Sequence, residues 1–305
     1  MSQIILMYVF LLLSACRVQG IDYRDIKPIK ESCKYVEYPY CEITIFQDTS
    51  GVWFLIKQIK FADDFARLAR CVCEMVALDI GHSISVSLNQ ASLIPAAITY
   101  IGKDLGSPAT LHTYVPGVRF DLYQGKIYKG LNLRQNGKEK VLGLTREIIY
   151  HMSRHKNLPA LVALDTFVGN AGRGRSNYFY DEAADIFYGI DMASSFNQDL
   201  CASSFQNVQH FLDDSVAFTD AELQGLKSYT AALVQLVNLY TPDVLCNKFD
   251  EYTALAGFLD NPFFNKDVQL SCLHYIARAK HIARNSYENT NKLIQLLKVL
   301  LANQV

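Results

Sequence analysis

Apolar residues fall along this chain in two rhythms. Residues 42–47 and 52–59 are rich in Ile, Val, Phe and other β-formers, with Asp48-Thr49-Ser50-Gly51 between them. Clustered β-branched and aromatic residues around a polar, glycine-bearing break predict strand, turn and strand. Over residues 63–80 the rhythm changes. Phe65, Leu68, Val72, Met75, Val76 and Asp79 recur near the spacing of one helical face. Short strand-like runs follow at 84–88, 97–101 and 110–115, and Pro116-Gly117 closes the last. Beyond them, 141–155 and 158–168 read as helices, with Asn157-Leu158-Pro159 as break and restart. A polar stretch, 170–176, leads into a hairpin with arms at 178–180 and 186–190 around an acidic turn. From Phe205 onward amphipathic helices dominate. The pattern predicts an α+β protein with a β-rich N-terminal lobe over 21–117 and a helical C-terminal lobe over 118–305.

Of the 305 residues, 50% are hydrophobic and 12% aromatic, and the formal charge is -1. A sizeable core is therefore expected and global disorder is excluded. The near-zero charge gives no electrostatic basis for binding nucleic acid. An apolar run over residues 4–13 precedes Ser14-Ala15-Cys16. It is about half of the ~20 residues a membrane-spanning helix needs. It suits the apolar core of a secretion signal over residues 1–20, although no Lys or Arg precedes it. Leu13-Ser14-Ala15-Cys16 resembles the bacterial lipobox, in which lipidated Cys16 would fix the protein to a membrane through acyl chains. Cleavage near Gly20, giving a soluble secreted protein, is the other outcome these residues allow. Export is expected in both cases.

Seven further cysteines are Cys33, Cys41, Cys71, Cys73, Cys201, Cys246 and Cys272. An odd set leaves at least one thiol outside a disulfide. Cys33 and Cys41 share a loop-rich segment in which they could pair. None of the spacings is the CxxC of a zinc site, and most of the thiols are expected to be partly buried. His151 and His155 stand four apart on a predicted helix. The residues between them lack the glutamate of a metalloprotease helix, so a solvated or capping role is expected.

Four features fall in one order. Lys57 lies inside an apolar strand that follows the Ser50-Gly51 turn, and Glu74 lies on the next helix. The loop Gly169-Asn170-Ala171-Gly172-Arg173-Gly174-Arg175-Ser176-Asn177 comes third, and Asp191, just past the hairpin, comes last. Phosphoryl transfer from ATP requires such parts in this sequence. A strand lysine neutralises phosphate charge and a helix carboxylate orients it. A loop Asn and a later Asp hold the metal ions on the phosphates.

The segment 158–196 resembles the atypical kinases related to phosphatidylinositol 3- and 4-kinases and to HipA-type kinases. Their catalytic loop reads roughly N-x-D-[RGA]-H-x-x-N before a hairpin and a metal-binding Asp. Asn170, Arg173 and Asn177 match the loop, and Asp191 matches the metal-binding Asp. The resemblance implies a two-lobed protein-kinase-like fold binding ATP with Mg2+ or Mn2+. Lys57, Glu74, Ser50, Gly51, His112 and Val115 would lie at the nucleotide, and Asn177 with Asp191 at the metal. The acceptor would be a protein or a lipid.

Two departures stand out, since the family's catalytic Asp falls on Gly172 and its His on Gly174. Glycine cannot take a proton from an acceptor hydroxyl, and loss of a positioned base costs ~10²- to 10⁴-fold. Asp165, upstream, is the candidate substitute, and loop support is its ordinary role. Weak or altered transfer, of a phosphoryl or a nucleotidyl group, is the leading expectation. A non-catalytic pseudokinase serving as a binding or scaffold module is the alternative.

Overall fold

The computed structural model describes residues 34–37, 41–59, 65–89, 97–101, 108–113, 118–119, 134–135, 138–139, 143–170, 173, 177–256 and 265–304. The expected signal segment, Cys16, Cys33, Val115, Gly172 and Gly174 lie outside the described residues. Two compact units make up the chain. One comprises Met1–Val76, Pro95–Tyr114 and Asn247–Ala277, and the other Ala77–Ile94, Val115–Cys246 and Arg278–Val305.

In the first unit, strands β1 (Lys34–Glu37), β2 (Cys41–Gln47), β3 (Trp53–Ile59), β4 (Ala97–Ile101) and β5 (Pro108–Thr113) form one antiparallel sheet. Its order is β1-β2-β3-β5-β4. Phe46, Phe54 and Ile56 are buried, and the Phe46 and Phe54 rings stack with centroids 5.6 Å apart. Helix α1 (Phe65–Ser87) falls between β3 and β4 in the chain. The α+β class holds, with a five-stranded antiparallel sheet ahead of a mostly helical remainder.

One expectation is corrected. Residues 84–88 are not a strand, because α1 runs on through Ser87. Ile84, Val86 and Leu88 alternate as a strand would, but Ile80 and Ile84 are fully buried at helical spacing. The Ser85 hydroxyl donates to the Gly81 carbonyl one turn back, at 2.7 Å. Burial at a four-residue interval overrides the two-residue alternation.

The second unit contains helices α2 (Arg146–Met152), α3 (Leu158–Val168), α4 (Leu200–Asp213) and α5 (Asp220–Leu239), with a hairpin of β9 (Tyr178–Asp181) and β10 (Ile186–Gly189). Strand β6 (Val118–Arg119) pairs with β9, and β7 (Arg134–Gln135) with β8 (Lys138–Glu139). Helix α2 is shorter than the expected 141–155, because Thr145 caps its start through the Ile148 amide. Every residue of α3 is buried, as suits a helix that is apolar apart from Asp165 and Thr166. It packs on α4, α5 and β10. Pro159 begins it, and Gly169 ends it in the left-handed conformation. A capping box of Thr219 and Glu222 starts α5. Helices α6 (Pro242–Ala256) and α7 (Lys266–Ala302) complete the order. No helix among the described residues is long and apolar enough to cross a membrane.

Candidate functional site

Lys57 occupies the middle of β3, opposite Ile43 on β2 and Thr110 on β5. Its Nζ donates to both carboxylate oxygens of Glu74 on α1, at 3.5 Å each. The Glu74 side chain is 3% exposed and that of Lys57 20%. A carboxylate so buried requires a cationic or hydrogen-bonding partner. The lysine supplies one while keeping part of its ammonium accessible. The period of two along β5 places Thr110 and His112 on one face of the sheet. His112 is buried, and its Nε2 lies 2.7 Å from the Thr110 hydroxyl.

The turn between β2 and β3 is closed by Asp48. Its Oδ1 accepts from the amides of Ser50 and Val52, at 3.0 and 2.9 Å, and from the Ser50 hydroxyl at 2.6 Å. The Gly51 amide donates to the Asp48 carbonyl at 3.0 Å, and Gly51 has φ +86°. The Ser50 and Gly51 donors thus converge on the turn's own aspartate, the reverse of an anion-binding nest. Aspartate at the first position of a turn is the sequence signal for this arrangement.

The second unit brings the loop residues together around Arg173. Arg173 is 7% exposed, and its guanidinium has five N–H donors, all of them engaged. Nε donates to Asp165 Oδ2 at 2.8 Å, and Nη2 to Asp165 Oδ1 at 2.9 Å and Met192 Sδ at 2.8 Å. Nη1 donates to the carbonyls of Asn177, at 2.8 Å, and Ile190, at 2.5 Å. Asp165, 6% exposed, also accepts from Asn170 Nδ2 at 3.2 Å. Burial opposes the charge of Arg173, but the Asp165 carboxylate more than offsets it and raises the pKa above its ordinary value. A Cβ on Gly189 would meet the Nη2 atom at 2.6 Å, so glycine there admits the guanidinium. Neither Gly189 nor Met192 was marked by its place in the sequence.

Asn177 and Asp191 are held at the base of the hairpin, where the Ile190 amide donates to the Asn177 carbonyl at 2.9 Å. Asp191 is exposed and left-handed, with φ +57° and ψ +69°, at the start of a short 3-10 turn, Met192–Ser194. Such a conformation costs a non-glycine residue about 1–3 kcal/mol, least for Asp and Asn. One carboxylate and one amide oxygen are hard donors of the kind Mg2+ and Mn2+ take, alongside waters and phosphates. Among the described residues no group of three or more His, Cys, Asp or Glu could hold a metal.

Of the solvated or capping role expected of His155, solvation does not hold. Its ring is buried, with Nδ1 2.6 Å from Asp185 Oδ1, and the Tyr180 hydroxyl donates to the same oxygen at 3.0 Å.

No protein-family model matches the chain, and no curated protein matches it. Solved structures with kinase names do. The kinase domain of maize sucrose-induced receptor kinase 1 bound to AMP-PNP is 10% identical, covering 86% of this chain and 92% of its own, at a TM-score of 0.32. An amicoumacin kinase in complex with AMP-PNP, Ca2+ and Ami is 12% identical, covering 92% and 93%, at 0.33. An aminoglycoside phosphotransferase from Alicyclobacillus acidocaldarius is 12% identical, covering 95% of each chain, at 0.27. Scores this low carry no inference, and the fold assignment rests on the chain's own elements.

Proposed function

We propose that the chain binds ATP with Mg2+ or Mn2+ and carries out weak or altered phosphoryl or nucleotidyl transfer. The observation that carries this reading is the Lys57–Glu74 pair, a strand lysine oriented by a buried helix carboxylate. In this reading Lys57 neutralises phosphate charge and Glu74 keeps its ammonium in place. Asn177 and Asp191 hold the divalent ion, which when bound neutralises further phosphate charge. Asn170, Asp165 and Arg173 support the loop between them. The phosphates lean on Lys57 more than on the Ser50-Gly51 turn, whose donors face Asp48. Export, with Cys16 lipidated or the signal cleaved near Gly20, and a protein or lipid acceptor remain parts of the proposal.

One observation favours the alternative of a non-catalytic binding module. Gly172 stands at the base position, and both oxygens of Asp165 accept from Arg173. A carboxylate so engaged is poorly placed to take a proton.

Thermal unfolding with and without Mg2+-ATP tests the binding. A ligand at 100 times its Kd adds about 2.7 kcal/mol of stability. Wild type is expected to gain on this scale, and Asp191→Ala to lose the gain with its far-UV spectrum unchanged. A wild type indifferent to every nucleotide and divalent ion would sink the reading. Turnover of bound ATP then separates an enzyme from a binding module.

A further inference from the structure

We propose that Arg173 is a positioning residue whose guanidinium sets the placement of Asn177 against Asp191, and with it the affinity for the divalent ion. The inference rests on the nucleotide reading above and concerns how that site is built.

The bonds of Arg173 reach both halves of the pair. Nη1 donates to the carbonyl of Asn177 itself and to that of Ile190, the residue immediately before Asp191. Nη2 donates to the sulfur of Met192, the residue immediately after it. Asp191 is therefore bracketed on both sides by one planar group. Its left-handed backbone is the kind of conformation that persists only where its surroundings over-determine it.

The other edge of the guanidinium is fixed. Nε and Nη2 form a fork on the two oxygens of Asp165, and Asp165 belongs to α3, which is buried along its whole length. A buried helix is thus the reference against which the hairpin base is set. Gly189, on β10, leaves the space the group occupies. The Tyr178 ring, 5.3 Å from the guanidinium carbon, faces it as well.

Lysine cannot reproduce this. It is a point charge with three donors and no planar fork, so it can hold Asp165 or the carbonyls but not all of them in one plane. Outer-sphere partners of metal ligands typically contribute ~10- to 100-fold to affinity.

The experiment uses the full chain, as wild type, Arg173→Lys and Asp165→Asn. At fixed ATP, Mn2+ is titrated and the half-point of its added thermal stabilisation is read. Deuterium exchange of the 177–192 segment is followed without ligand. Folded Arg173→Lys is expected to need ~10- to 100-fold more Mn2+ and to exchange faster over 177–192. Asp165→Asn, which keeps the shape of the side chain but loses its charge and one of the two acceptors of the fork, should fall between it and wild type. If Arg173→Lys fails to fold, Asp165→Asn decides. An unchanged Mn2+ requirement in a folded variant overturns the positioning role and leaves the nucleotide reading intact. A wild type unaffected by Mn2+ and ATP overturns that reading, and this one with it. If neither variant folds, the guanidinium builds the unit rather than tunes the site, and the proposal falls.

Discussion

His151 lies buried on α2, where burial, then the neighbouring His155 and Arg154, lower its pKa from 6.5 to about 4. The unfolded chain takes up this proton near the ordinary value, while the folded chain resists until about pH 4. Between those values the unfolded state binds more protons, so stability is fully present above pH 6.5 and declines on acidification. The slope from one such group is at most ~1.4 kcal/mol per pH unit. Denaturant midpoints measured from pH 7 to pH 4 are expected to fall along this limb for wild type and to flatten in His151→Gln. Parallel curves would remove His151 as the cause. At this scale the candidate site was only partly legible. The order of Lys57, Glu74, Asn177 and Asp191 could be read from types and spacing. The inward turn of Arg173 could not, because only the fold brings Asp165, Ile190 and Met192 to one guanidinium.

Helix α3 shows what a single element requires at its end. Gly169 has φ +61°, and its amide bonds back to the carbonyls of Asp165 and Thr166. A Cβ there would run into the Gln198 carbonyl. Gly169→Ala is expected to cost at least about 1–3 kcal/mol, read as a lower denaturant midpoint with an unchanged slope. A variant as stable as wild type would show that the 198 segment gives way freely. Elements with a local signature were legible, including α3 between its proline and glycine and the hairpin around its acidic turn. The pairing of β3 with β5 was not, since register between distant strands leaves no mark in either one alone. The run at 84–88 misled because short apolar alternation fits both a strand and the end of a long buried helix.

For the whole molecule, the strand-then-helix order sufficed to read the α+β class. The two compact units each draw on segments distant in sequence, and contacts of that kind are invisible to a pattern scan. The cysteines follow the same division. Cys71, Cys73 and Cys272 belong to the first unit, and Cys201 and Cys246 to the second. All five are buried and outside any disulfide. Burial pushes Cys73 and Cys201 up to about 12 and Cys71 higher still, so little thiolate exists at neutral pH. The five sulfurs therefore act as a clock for opening. An alkylating reagent can mark each one only while its surroundings are apart, and the mass of each labelled peptide dates that event. If the units open independently, rising denaturant should label 71, 73 and 272 as one group and 201 and 246 as another, each with its own midpoint. Simultaneous labelling of all five would mean that the chain opens as a single cooperative body.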